Sequence, residues 1–130
     1  VADDQDAREF TRVKVKVEIA VDSESGTAPV RGAIRDASAN GVFVTTSDTL
    51  PEGQPCTVTI LLTGDPSGPV IRANGEIARS TAEGMAVRFT EILGENSFEH
   101  LRRLVMYNSR ETGRVAEEFD EHLGIKRREL

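Results

Sequence analysis

The chain has 130 residues, of which 38% are hydrophobic and 29% charged, with eleven glycines and five prolines; this fits one soluble globular domain and excludes a wholly disordered or fibrous chain. Twenty-two acidic against sixteen basic residues give a net charge of −6, which argues against a DNA or RNA binder that neutralises many phosphates. The lone cysteine, Cys56, excludes an internal disulfide and a cysteine metal cluster, and no apolar run approaches the roughly 20 residues of a membrane span.

The opening Val1-Ala2-Asp3-Asp4-Gln5-Asp6 has no basic region followed by an apolar one, so a cytoplasmic location is expected. From Ala7 to Lys16 the chain is locally basic, with Arg8, Arg12, Lys14 and Lys16 against Glu9. Residues 1–12 read as a polar arm that has Phe10 as its large apolar anchor, poorly ordered when free. Between Val13 and Val21 every odd position is apolar and most even ones are charged, the period of a half-buried strand. A turn over 22–26 and a returning strand over about 29–35 complete a hairpin. Further strands are predicted over 41–46, 56–62, 70–78 and 85–90, divided by Pro, Gly and Asp loops. Six short strands without intervening helices indicate a sandwich or small barrel.

After Glu91 the period becomes helical. Asn96 is the expected N-cap with Glu99 as its capping-box partner, and Phe98, Leu101, Leu104 and Val105 form the apolar face of a helix over about 97–109. Val115, Phe119 and Leu123 mark a second helix over 114–123, with Gly124 as its stop. Glu117, Glu118, Asp120 and Glu121 read as its solvated face, and Lys126-Arg127-Arg128 as a frayed tail. The predicted organisation is an arm over 1–12, a barrel over 13–92 and a helical extension over 93–130.

Two short motifs flank the first hairpin: Arg8-Glu9-Phe10-Thr11-Arg12, an R-x-x-x-R, and Asp36-Ala37-Ser38-Ala39-Asn40-Gly41, a D-x-S-x-x-G placed between two strands. In this order, before and within a barrel of this length, they resemble the PilZ domain, the bacterial receptor for the second messenger cyclic di-GMP. Gly75-Glu76-Ile77-Ala78-Arg79 and the run from Gly84 to Ile92 look like the last two strands of that family, and the helical end resembles single-domain members with added C-terminal helices. The resemblance implies a six-stranded antiparallel β-barrel of the split-barrel type. It also implies a non-enzymatic receptor whose arm arginines grip guanine edges and phosphates opposite a surface lined by Asp36, Ser38 and Gly41.

The residue types suit that ligand. Arginine offers a planar fork that matches phosphate oxygens and the O6/N7 edge of guanine alike. Asp36 is an acceptor for the N1–H and N2–H donors of guanine, Ser38 offers a hydroxyl or amide contact, and Gly41 permits a positive φ or a close backbone approach. Many PilZ domains carry an aromatic residue on the strand where this chain has Ala78, and Arg79 is the residue nearby that can stack on a base instead. The site expected from sequence is therefore Arg8, Arg12, Asp36, Ser38 and Gly41 with Arg79 beside them, binding cyclic di-GMP as ligand with no cofactor. His100 and His122 lack metal-ligand spacing, and Ser38 lacks a nucleophile-elbow context, so neither metal nor hydrolase chemistry is indicated. A downstream protein partner is expected. The competing expectation is a PilZ-like adaptor that binds protein but no nucleotide.

Overall fold

In the computed structural model, which describes residues 11–23, 28–110, 112–120 and the backbone of 126–128, the six barrel strands appear close to where the two-residue period places them, and two further short strands join them. They are β1 (Val13–Lys14), β2 (Glu18–Ser23), β3 (Val30–Ser38), β4 (Gly41–Thr45), β5 (Pro55–Leu61), β6 (Val70–Ser80), β7 (Gly84–Leu93) and β8 (Lys126–Arg128). The helices are α1 (Glu95–Tyr107) and α2 (Thr112–Asp120). Strands β3-β2-β5-β6-β7-β4 run antiparallel side by side, and β4 pairs back with β3 to close a six-stranded barrel. Closure leaves no open edge among these six strands.

Alternation sends one residue in two into the barrel. Ile19, Val21, Val58, Ile60, Ile71, Ala73, Ile77, Val87 and Phe89 are all almost fully buried, and burial of such side chains is worth roughly 1.5–3 kcal/mol each for the larger aliphatics. Cys56 is 3% exposed and packs in this core as a small hydrophobe. Helix α1 brings Phe98, Leu101 and Val105 to the same core. Ser97 pins the helix to the sheet by accepting the Arg72 N–H at 2.9 Å. Helix α2 follows with Val115 and Phe119 buried, the Phe119 ring standing edge-on to Phe98 at 5.7 Å between centroids.

Four expectations are corrected. The single strand over 13–21 is interrupted at 15–17, because pairing with β3 slips by one residue between Lys14↔Asp36 and Glu18↔Ala33. Asn96 does not cap α1: the cap is Gly94, whose φ of 95° suits a residue without a Cβ, and Asn96 lies inside the first turn. Lys126–Arg128 is a strand, not a frayed tail, and pairs parallel with β7 from Glu91↔Lys126 to Leu93↔Arg128. Glu118 is buried rather than solvated, while Glu117 and Asp120 are exposed as expected. The turn over 22–26 and the stop at Gly124 fall wholly or partly outside the described residues, as do Leu123, His122 and Glu121.

Candidate functional site

Strict alternation along β3 would bury residue 36 after residue 34. A one-residue bulge at Arg35, where the partner on β4 steps from Ile34↔Val44 to Asp36↔Phe43, shifts the parity instead. Ile34 and Ala37 point into the core, and Arg35 and Asp36 both lie on the outer face. A second bulge, between Ile77 and Arg79 on β6, leaves Ala78 and Arg79 both exposed. The cross-strand register then sets Lys14, Asp36, Phe43, Ala86 and Arg79 in one row across β1, β3, β4, β7 and β6. The neighbouring row on the same face is Ser38, Gly41, Arg88 and Glu76. Asp36 and Arg79 are three strand spacings apart, roughly 14 Å.

The centre of this face is a carboxylate held between two guanidinium groups. Arg12 donates from Nε at 2.9 Å and Nη2 at 2.6 Å to Oδ1 of Asp36, and Arg35 donates from Nε at 3.0 Å to Oδ2. Burial of Asp36, whose side chain is 14% exposed, works against its ionisation. The hydrogen bonds and charges of Arg12 and Arg35 outweigh burial and hold its carboxyl below the ordinary aspartate range. Arg35 also lies over the Phe43 ring, 3.9 Å from its centroid, and reaches toward Glu83 at 3.8 Å. Arg88, in the adjacent row, is paired with Glu76. Arg79 is exposed and forms no ion pair with a described residue.

Asp36 and Ser38 stand on β3 itself rather than in a loop, and only Ala39 and Asn40 form the turn into β4. Ser38 is fully buried; its hydroxyl donates to Oδ1 of Asn40 at 2.7 Å and accepts the Asn40 N–H at 3.3 Å. Asn40 in turn offers its carbonyl to the Phe89 N–H at 2.8 Å, tying the turn to β7. At Gly41 a Cβ would sit 2.3 Å from the Val87 carbonyl oxygen, so the requirement is close approach and not a positive φ. Gly75, on the other side of β7, is confined in the same way, 2.5 Å from the Arg88 carbonyl oxygen. The two glycines let three strands close on one another beneath the charged face.

Of the residues expected from sequence, Arg12 and Asp36 are in direct contact, and Ser38 and Gly41 form the adjoining turn. Arg79 shares the row of Asp36 from two strands beyond β4, and Arg8 lies outside the described residues. Arg35 and Asn40 went unrecognised. The three-residue spacing between the apolar Ile34 and Ala37 was a legible sign of the bulge that turns Arg35 outward.

The PilZ domain family profile matches residues 6–107. The chain belongs to the PilZ domain family. No match was found among curated protein sequences. Among solved structures, this PilZ domain is similar to the Bacillus subtilis inhibitor of motility MotI/DgrA, with TM-score 0.61 and 18% identity over 77% of this chain and 50% of that one. It is also similar to the PilZ domain of Escherichia coli YcgR with c-di-GMP (TM-score 0.56, 14% identity, 85% and 98% covered). A third neighbour is the PilZ domain of CeSA from a cellulose-synthesizing bacterium (TM-score 0.55, 20% identity, 75% and 96% covered). At these identities the likeness is one of fold. The chain spans half the length of the motility inhibitor. The PilZ family is one of cyclic di-GMP receptors and adaptors.

Proposed function

We propose that this PilZ domain binds cyclic di-GMP on the outer face of β3, β4, β7 and β6, and that Arg12, with Arg8 four residues before it, closes over the ligand. The observation that carries the reading is the pair of guanidinium groups set side by side by Asp36 at the point where the arm meets the barrel. Arg12 uses its Nε and Nη2 on Asp36, which leaves Nη1 and further N–H donors for a phosphate oxygen or for guanine O6/N7. Asp36 first orients the arginines. Its Oδ2 accepts from Arg35 alone among the described contacts, so it retains a lone pair for a guanine N–H donor. Ser38 acts through the turn it holds, and Gly41 through the close approach of β4 to β7 that it permits. Arg79, roughly 14 Å along the row, is placed for the far base of a dinucleotide, where its guanidinium plane can stack.

A receptor that catalyses nothing signals by changing what it touches, and ordering of the arm over the ligand supplies such a change to a protein partner. The motility inhibitor among the structural neighbours fits an effector of this kind. No helix among the described residues is long and apolar enough to cross a membrane. The proposal is tested by calorimetric titration with cyclic di-GMP, using wild type and Arg12→Ala. Binding by wild type that weakens in a folded Arg12→Ala variant supports it. A folded wild type that takes up no nucleotide returns the protein to the adaptor class.

A further inference from the structure

Residues 11 and 12 are each held by a carboxylate, and the two carboxylates come from widely separated parts of the chain, a barrel strand and the second helix. Asp36 of β3 takes the side chain of Arg12. Glu118 of α2 takes Thr11: both carboxylate oxygens accept the Thr11 backbone N–H, at 3.1 and 3.2 Å, and Oε2 also accepts the Thr11 hydroxyl at 3.0 Å. Glu118 is itself fixed. It is 9% exposed, sits between the buried Val115 and Phe119 on a helix packed against α1, and is approached by Arg114 Nε at 3.4 Å. A buried carboxylate that takes an arm's backbone amide sets the position from which the next side chain starts.

We propose that Glu118 is a positioning residue for cyclic dinucleotide binding, holding Thr11 so that Arg12 lies over Asp36 and thereby coupling the docking of α2 to ligand affinity. This rests on the reading of the preceding subsection. The coupling is reciprocal: a ligand that fixes Arg12 favours docked α2, and docked α2 favours the ligand, by the same factor. Helix α2 is then the element through which occupancy of the charged face is felt at the other end of the chain.

The test is a double-mutant cycle in cyclic di-GMP affinity. Glu118→Gln keeps the size of the side chain and removes its charge; it is expected to weaken binding about tenfold, the scale of a lost charge-assisted hydrogen bond. In an Arg12→Ala background the same change is expected to cost nothing further, a result that a general loss of stability would not produce. The exposed neighbour change Glu117→Gln serves as control and leaves affinity unaltered. Amide hydrogen exchange adds a second readout: cyclic di-GMP slows exchange over 112–120 in wild type and fails to do so in Glu118→Gln. Should Glu118→Gln misfold, Thr11→Val removes only the hydroxyl contact from outside the helix and is expected to weaken binding about threefold. Unchanged affinity in the folded variants, or an equal loss with and without Arg12, overturns the role of Glu118 while leaving nucleotide binding in place. Absence of cyclic di-GMP binding in wild type overturns both.

Discussion

Asp36 sits between Arg12 and Arg35, which are each about half exposed, so water screens the two ion pairs and each contributes no more than about 1 kcal/mol to stability. Their value is in orientation. Arg12→Ala is expected to weaken cyclic di-GMP binding by about 1–3 kcal/mol, the worth of a good bidentate guanine contact, while the melting temperature moves by no more than about 4 °C; titration calorimetry and thermal melts check the two halves. The direction of the Asp36 shift also fixes a pH dependence. A carboxyl held below its ordinary range in the folded state contributes stability that is fully present above the unfolded value and is lost as pH falls through the folded value. The stability difference between wild type and Asp36→Asn is therefore expected to stay constant from pH 7 down to about pH 4 and to close only below it, as followed by melts across that range. A difference that closes between pH 6 and pH 5 would contradict the assignment.

At the scale of elements, the candidate site is made by irregularities in otherwise regular strands. The bulges at Arg35 and Ala78 turn Asp36 and Arg79 onto one face, and Gly41 and Gly75 let β4 and β6 close on β7 beneath it. Gly41→Ala would press a methyl group into the Val87 carbonyl, a backbone atom that cannot step aside. It is expected to cost about 1–3 kcal/mol, the range for overpacking a tight site, and to lower affinity through the displaced turn; denaturant melts and titration of the same variant measure both. The strands themselves were legible, because alternation of apolar and polar residues survives from Val13 to Val21 and again through β5, β6 and β7. The bulge at Arg35 showed itself in the three-residue step from Ile34 to Ala37, whereas the slip at 15–17, the bulge at Ala78 and the parallel strand β8 were not legible. Each depends on which residue of another strand lies opposite, and no periodicity within a segment carries that. Glu118 was missed for a related reason: on its own helix it belongs to an acidic run, and only the fold brings Thr11 to it.

At the scale of the whole molecule, an acidic protein of net charge −6 presents a face on which Arg12, Arg35, Arg79 and Arg88 gather. The motifs Arg8 to Arg12 and Asp36 to Gly41 singled out Arg12, Asp36, Ser38 and Gly41 from sequence alone, and the fold brings these four to one region. The depth of the face across the sheet, out to Arg79 and Arg88, required the register. A ligand with two phosphates recruits a small electrostatic contribution, so affinity is expected to fall with salt along a slope no steeper than about −2 in log–log form, far shallower than that of a duplex binder; titrations at several salt concentrations measure it.

The most direct measurement is calorimetric titration of the folded wild-type protein with cyclic di-GMP and, in parallel, with cyclic di-AMP, whose adenines offer no N1–H donor and no O6 acceptor. Saturable binding of cyclic di-GMP, with cyclic di-AMP at least about tenfold weaker as expected when guanine edges are read by Arg12 and Asp36, is the expected result. Equal affinity for the two, or no heat with either, would contradict it.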